Sequence, residues 1–288
     1  MSKVLADLLL LCCAVFWGAS FVTMKILVGV YPTCWLLFLR FTAAATMLYV
    51  FFHKRIHKSF MHDLKGGAII GMLLFFAIGT QTVGLNYIGG GRSAFITSTY
   101  VLMVPLMLWA VNRDFPGWVK LFAAGLCVWG MYMLTGEEVT DASITGDILT
   151  VICAVAFAVQ IIAISRYTQG GDPIVLSFVE FVTLSAMMLV SSLAFETRDI
   201  LLDMGSMYEF LFTVVFVTFG GYVMQVCAQK YAEPSHATII MSLESVFGLV
   251  SGMVFLGETL TFRAGVGCVV IFASVMISEL EPYIHIRS

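Results

Sequence analysis

The sequence predicts an all-α integral membrane protein whose ten transmembrane helices form two inverted five-helix repeats. Three observations carry this expectation: the composition, ten apolar runs of membrane-spanning length, and the placement of the few charges. Of 288 residues, 60% are apolar and 11% are charged, against roughly 25% charged in a soluble domain. Mean hydropathy is +0.98. A water-soluble domain of this size needs a charged surface that this chain cannot supply. That excludes a soluble enzyme, a disordered protein and a nucleic-acid binder. The net charge of −3 is too small to point to a partner, so the expected surroundings are the lipid bilayer.

A bilayer core about 30 Å thick needs roughly 20 apolar residues in a helix. Runs near that length occupy residues 4–28, 33–52, 66–88, 93–111, 118–135, 147–165, 174–195, 209–230, 236–256 and 264–280. The first follows Lys3 and contains Gly18-Ala19-Ser20, the outline of a secretory signal, but it continues past that point and reads as a span. Short breaks carry turn chemistry: Tyr31-Pro32-Thr33, Gly89-Gly90-Gly91, Pro116-Gly117, Gly170-Gly171-Asp172-Pro173 and Glu233-Pro234-Ser235. Such breaks force antiparallel helical hairpins.

Lys and Arg set the orientation. With a cytoplasmic N-terminus, the cytoplasmic segments hold Lys3, Lys54, Arg55, Lys58, Lys65, Arg113, Lys120, Arg166, Lys230 and Arg287. The external segments hold only Arg92, Arg198 and Arg263, beside the acidic Glu137, Glu138, Asp141, Asp147, Glu196, Asp199 and Asp203. The expectation is a multi-pass protein of the cell (inner) membrane with both termini cytoplasmic.

The chain divides near residue 140 into halves, 1–140 and 141–288, of five spans each. The segment from Ser93 to about Leu134 is similar to that from Ala237 to about Met276. Each opens on small and hydroxylated residues and ends in a Gly-rich span, Ala123-Ala124-Gly125 against Gly265-Val266-Gly267. An odd number of spans per half places the halves in opposite orientations, the architecture of secondary transporters. Gly125, Gly130, Gly265, Gly267 and the Gly248-x-x-x-Gly252 pair let helices approach closely, within one chain or between two copies in a homodimer. The seven Cys form no C-x-x-C pair and read as small buried hydrophobes rather than disulfides or metal ligands.

On these residues the chain resembles the EamA-type transporters of the drug/metabolite transporter superfamily. The most specific pieces are Trp17-Gly18-Ala19-Ser20-Phe21, Leu39-Arg40-Phe41, Ala228-Gln229-Lys230-Tyr231-Ala232, Leu243-Glu244-Ser245-Val246-Phe247 and Phe255-Leu256-Gly257-Glu258-Thr259-Leu260. The chain departs from the family's usual pattern at Ser245, where Pro is usual, and at Asn112-Arg113-Asp114, where a Gly-Glu pair is usual. The resemblance covers nearly the whole chain. It implies a carrier of small metabolites, often an exporter of amino acids or related compounds, without a cofactor.

Ionisable groups inside hydrocarbon are costly and persist where they face a cavity or one another. Glu244 lies near the middle of span 9, on one face with Met241, Gly248 and Ser251. It can bind a substrate amine, take up a proton in coupling, or bond a neighbouring helix. Glu180, in the cytoplasmic half of span 7, can pair with a basic residue or line an inner gate. Arg40 in span 2 and Lys25 near the end of span 1 can attract a carboxylate; Lys25 can equally snorkel to the interface. Trp17, Phe21 and Lys25 share helical spacing in span 1. Thr218, Tyr222, Gln225 and Gln229 form a polar stripe on span 8, which cannot face lipid comfortably. Span 4 has Ser93, Thr97 and Tyr100 on one face, span 3 has Gln81 and span 6 has Gln160. In the repeat alignment Tyr100 falls opposite Glu244. The expected binding cavity lies near mid-membrane between spans 1, 3, 4, 6, 8 and 9. Its expected lining is Trp17, Phe21, Gln81, Thr97, Tyr100, Gln160, Tyr222, Gln225 and Glu244, with Lys25, Arg40 and Glu180 as charged candidates.

No P-loop, G-x-S-x-G or H-E-x-x-H occurs, and the five His are not expected to cluster with Asp or Cys, so no catalytic or metal site is read. The reading is a secondary transporter of small amphipathic metabolites, amino acids or related compounds, expected to export them by alternating access. The competing readings are a non-transporting membrane scaffold and an integral membrane enzyme acting on lipid.

Overall fold

The computed structural model describes residues 1–88, 90–135, 143–196, 204–256 and 261–284, without the side chains of Phe21, Lys25, Gly90, Gly91, Arg92, Ala94, Thr135, Met204, Leu256 and 279–284. The predicted division near residue 140 lies outside the described residues. So do Gly89, Glu137, Glu138, Asp141, Arg198, Asp199, Asp203, the Gly257-Glu258-Thr259-Leu260 piece, His285 and Arg287.

The fold is all-helical, with no strand among the described residues. The helices are α1 (Lys3–Val30), α2 (Thr33–Gly84), α3 (Gly90–Ser98), α4 (Tyr100–Asn112), α5 (Trp118–Thr135), α6 (Ile144–Thr168) and α7 (Pro173–Phe195), then α8 (Met207–Phe212), α9 (Val223–Gln229), α10 (Pro234–Met241), α11 (Glu244–Ser251) and α12 (Phe262–Ile284). Seven of the described helical stretches are long and apolar enough to cross a membrane, and two shorter apolar helices, Trp118–Leu134 and Phe262–Ser278, accompany them. Local chemistry sets the ends. The Ser2 hydroxyl accepts from the Leu5 N–H to start α1, the Ser143 hydroxyl from Gly146 to start α6, and the Asp172 carboxylate from Ile174, with Pro173 in the first turn, to start α7.

Three stretches differ from the sequence expectation. The runs 33–52 and 66–88 are joined in one helix, α2, whose only non-helical residue is Phe52 (φ −128°, ψ 19°). The linker contains no Gly, Pro or Asn to end a helix, and Ile56 and Asp63 bury themselves in it. The chain still reverses there. Phe38 and Tyr49 meet Ser185 and Phe178, whereas Gly67 and Gly79 meet Val179 and Met188. The two arms therefore run along α7 in opposite directions. Second, the runs read as spans 4 and 9 are each broken near the middle, at Thr99 and at Ser242-Leu243. Third, the run 209–230 is α8, a π-helix (Thr213–Tyr222) and α9; a shorter π-helical turn, Gly252–Leu256, follows α11.

Close packing uses the small residues. A Cβ at Gly67 would lie 2.5 Å from the Val179 Cβ, and one at Gly267 would lie 2.6 Å from the Gly130 carbonyl oxygen. Gly130 and Gly267 thus pack α5 on α12 within one chain, whereas Gly125 has open space beside it. The interior forms two main clusters. One joins α1, α4, α5, α6, α10 and α12 around Leu10, Val101, Cys127, Ile161, Met241 and Ile271. The other joins both arms of α2 to α7 around Phe41, Leu74, Phe181 and Tyr222. Trp17 and Phe157 pack against both. Cys13, Cys127 and Cys153 are buried as expected of small hydrophobes, but Cys12 is exposed and Cys34, Cys227 and Cys268 are half-buried.

Candidate binding cavity between the two clusters

A hydroxyl bond accompanies the break in each of the two helices. Thr99 Oγ1 donates to the Ile96 carbonyl at 2.6 Å, and Ser242 Oγ donates to the Ile239 carbonyl at 2.5 Å. Such bonds compete with the helical ladder. The backbone tightens in step: the Thr99 N–H reaches Ile96 and the Leu243 N–H reaches Ile240, each three residues back rather than four. Helix resumes at Tyr100 in one case and at Glu244 in the other. Both side chains therefore leave from the first residue after a break. Gly18 completes the second arrangement: a Cβ there would lie 2.7 Å from the Glu244 carbonyl oxygen and 2.5 Å from the Phe247 Cβ. The absence of a side chain brings α1 against the break.

The seam between the clusters holds a small cavity of about 120 Å³, less than the roughly 300 Å³ of a pocket that fully encloses a drug-sized ligand. Of the residues expected to line it, Trp17, Gln81, Thr97, Tyr100, Tyr222, Gln225 and Glu244 do so, and so does Arg40. Trp17 is fixed by its indole N–H on the Val217 carbonyl at 3.2 Å and by ring contact with Tyr222 at 5.1 Å. Gln81 donates to Thr97 Oγ1 at 3.3 Å. The cavity runs from Glu244 and Gln225, at mid-depth, towards Leu85 and Ser93 at one end of the bundle. The side chains of Phe21 and Lys25 lie outside the described part.

Arg40 is 2% exposed. Its Nε donates to Thr218 Oγ1 at 2.6 Å, Nη1 donates to Met24 Sδ at 3.1 Å, and the Phe41 ring lies 5.7 Å from its guanidinium carbon. No carboxylate pairs with it among the described residues, and none of the described cations pairs with Glu244. A fixed cation and an acid thus face one apolar-walled, aromatic cavity, neither with a counter-charge among the described residues. That arrangement suits a ligand carrying both charges.

Two candidates do not reach the cavity. Gln160 turns to Glu180, donating from Nε2 to Oε1 at 3.0 Å, and both are fully buried. Its neighbours Phe157 and Ile161 line the cavity instead, because one helical residue of rotation moves Gln160 behind the wall. Glu180, expected to pair with a basic residue or to line an inner gate, bonds the Gln160 amide. Thr218 serves Arg40 rather than the cavity, and Gln229 is buried one turn beyond Gln225.

Ties close the other end of the bundle. Arg55 Nε donates to Asp172 Oδ2 at 2.5 Å; this bond raises the Arg55 pKa. Buried Asp63 accepts from the Ser59 hydroxyl at 2.6 Å and from the Asp172 N–H at 3.2 Å, and pairs with His62 Nδ1 at 2.8 Å. Lys230 Nζ donates to the Gly171 carbonyl, and Lys120 bridges Glu233 at 2.7 Å. His236 Nε2 lies 3.2 Å from Asp7 Oδ1. Two His thus do meet Asp, against expectation, because His62 adjoins Asp63 in sequence and folding carries Asp7 to α10. Among the described residues no group of three His, Cys, Asp or Glu could hold a metal.

Sequence reasoning missed Ser20, Met24, Ile78, Thr82, Leu85, Phe157, Ile161, Val217 and Met241 on the cavity wall. Most are apolar, and in a chain this hydrophobic an apolar wall residue carries no distinguishing signal. Thr82 had one: its helical position beside Gln81.

A model of the EamA-like transporter family matches residues 4–136 and again 144–280. A relative named an uncharacterized transporter, from Archaeoglobus fulgidus, is 31% identical over 98% of this chain and 88% of its own length. The threonine/homoserine exporter RhtA of Salmonella typhimurium is 27% identical over 84% of this chain and 82% of its own. The inner membrane transporter YedA of Escherichia coli, itself named uncharacterized, is 25% identical over 94% and 89%. A solved crystal structure of a protein at 13% identity superposes with a TM-score of 0.82 over 97% of this chain and 98% of that one.

Proposed function

This chain belongs to the EamA-like transporter family, and on that footing we propose that it is a secondary transporter exporting small zwitterionic metabolites, amino acids first among them, across the cell membrane. The observation that carries the substrate class is the cavity shared by Arg40 and Glu244, neither ion-paired among the described residues. Arg40, held by Thr218, receives the carboxylate; Glu244, at the break before α11, receives the ammonium group or a coupling proton. Trp17, Tyr100 and Tyr222 close an aromatic wall around the side chain. The name of the relative RhtA supports the same class and the export direction.

The architecture in this reading is ten crossings in two inverted repeats, 1–140 and 141–288. The kinked α2 counts as two crossings, and α5 and α12 complete the number. The matching of one family model to two stretches supports the repeat. The breaks at Thr99 and at Ser242-Leu243 support it too, since discontinuous helices at mid-membrane accompany inverted-repeat binding sites. Both termini lie on the cytoplasmic side, which makes the end closed by Arg55, Asp172 and Lys230 the inner face. Alternating access is then the rocking of the two clusters about their seam.

The test is transport by the purified protein in proteoliposomes loaded with an amino-acid mixture. We expect selective loss of one or a few amino acids. No movement of any solute, with or without a pH gradient, would overturn the reading. The scaffold and lipid-enzyme readings have no comparable observation behind them.

A further inference from the structure

Five buried side-chain atoms in or behind the cavity wall lack a hydrogen-bond partner among the described residues: Glu180 Oε2, Gln160 Oε1, Gln225 Oε1, and Nε2 and Oε1 of Gln229. They lie on α6, α7 and α9, and α9 packs on both of the others. Each orphaned buried polar group costs about 1–3 kcal/mol, and native interiors keep few of them. Gln160 and Glu180, bonded through Nε2 and Oε1, thus each keep one buried oxygen without a partner among the described residues.

Position within the helices gives the second observation. Arg40 stands eight residues past Pro32, the cap of α2, and Glu180 stands eight residues past Asp172, the cap of α7. Each leans on the helix that precedes its own: Arg40 Nη1 donates to Met24 of α1, and Glu180 accepts from Gln160 of α6. The two charges therefore occupy matching places in the two halves of the chain. One lines the cavity and the other is sealed behind it. Where halves are inverted copies, the environments of matching residues exchange when the cavity changes sides.

We propose that Glu180, held by Gln160, is a second substrate contact that receives the ammonium group when the cavity opens on the face carrying Arg55 and Asp172. Its ligand class is a small metabolite with a primary ammonium group. The inference rests on the transport reading above. The polar path past Gln225 and Gln229 is the route from Glu244 to that face. In that opening Glu180 takes over the ammonium group that Glu244 holds in the other.

Side-resolved exchange of threonine by Glu180→Gln in proteoliposomes tests this. We expect the half-saturating concentration to rise about tenfold on the Arg55 face and to stay within twofold on the other. An equal change on both faces, or none, overturns the inference. If wild type exchanges no threonine, the transport reading for that substrate fails instead. A second measurement decides the inference in that case, or if the variant does not fold. Wild type and Arg55→Ala in nanodiscs are treated with a water-soluble carbodiimide and glycine ethyl ester, and adducts are mapped by peptide mass spectrometry. We expect an adduct at Glu180 that forms faster in Arg55→Ala. Adducts at Glu244 alone in both proteins contradict the proposal.

Discussion

Arg40 is useful in the cavity because two neighbours aim it. Hydrogen bonds to charged groups contribute about 1.5–3 kcal/mol, and tenfold in affinity corresponds to about 1.4 kcal/mol. Thr218→Val keeps the shape and removes the acceptor of the Arg40 Nε, so substrate half-saturation should rise roughly tenfold in proteoliposomes with protein yield unchanged. Arg40→Lys should do at least as much, since an ammonium cannot hold Thr218 and a carboxylate with one planar fork. At the other pole, Glu244→Gln removes the only acid that lines the cavity among the described residues. Transport should fall at least tenfold, and the residual rate should lose its dependence on a pH gradient. Full transport with an unchanged pH response would return Glu244 to a structural role.

Among the helices, close contact decides which changes are tolerated. Gly130→Val places side-chain atoms against the α12 backbone, while Gly125→Val meets open space. Overpacking costs typically 1–3 kcal/mol and free surface changes about 0.5 kcal/mol or less. Gly130→Val should therefore lower the thermal midpoint in detergent by several degrees and Gly125→Val should not. The ties at the Arg55 end divide similarly. The Arg55 side chain is 52% exposed, so Arg55→Ala should cost less than about 1 kcal/mol. Asp63 is 2% exposed and accepts from Ser59 and the Asp172 backbone, so Asp63→Ala should cost about 1–3 kcal/mol in denaturant melts. Helix positions were legible because apolar runs of spanning length have little alternative to helix in a bilayer. The linker of α2 was not, since charge and polarity marked it as leaving the membrane but not as staying helical. The breaks at Thr99 and Ser242 were hidden because Ser and Thr are ordinary in membrane helices. Only the backbone bonds from Thr99 and Leu243 to carbonyls three residues back reveal the tightening.

Over the whole molecule, two packed clusters share Trp17 and Phe157 and enclose the cavity at their seam. Polar residues in apolar runs located that seam from sequence, because Gln81, Tyr222, Gln225 and Glu244 each needed something other than lipid to face. Gln160 and Glu180 gave the same signal and proved to bond one another instead, a pairing across two helices that spacing along one helix cannot reveal. The central claim is that one cavity holds a carboxylate at Arg40 and an ammonium at Glu244. Its most direct test is equilibrium binding of radiolabelled threonine to the purified protein, competed by 3-hydroxybutyrate, which lacks the amine, and by 1-amino-2-propanol, which lacks the carboxylate. Threonine should bind at least tenfold more tightly than either. Equal affinity for all three, or no threonine binding at all, would contradict the claim.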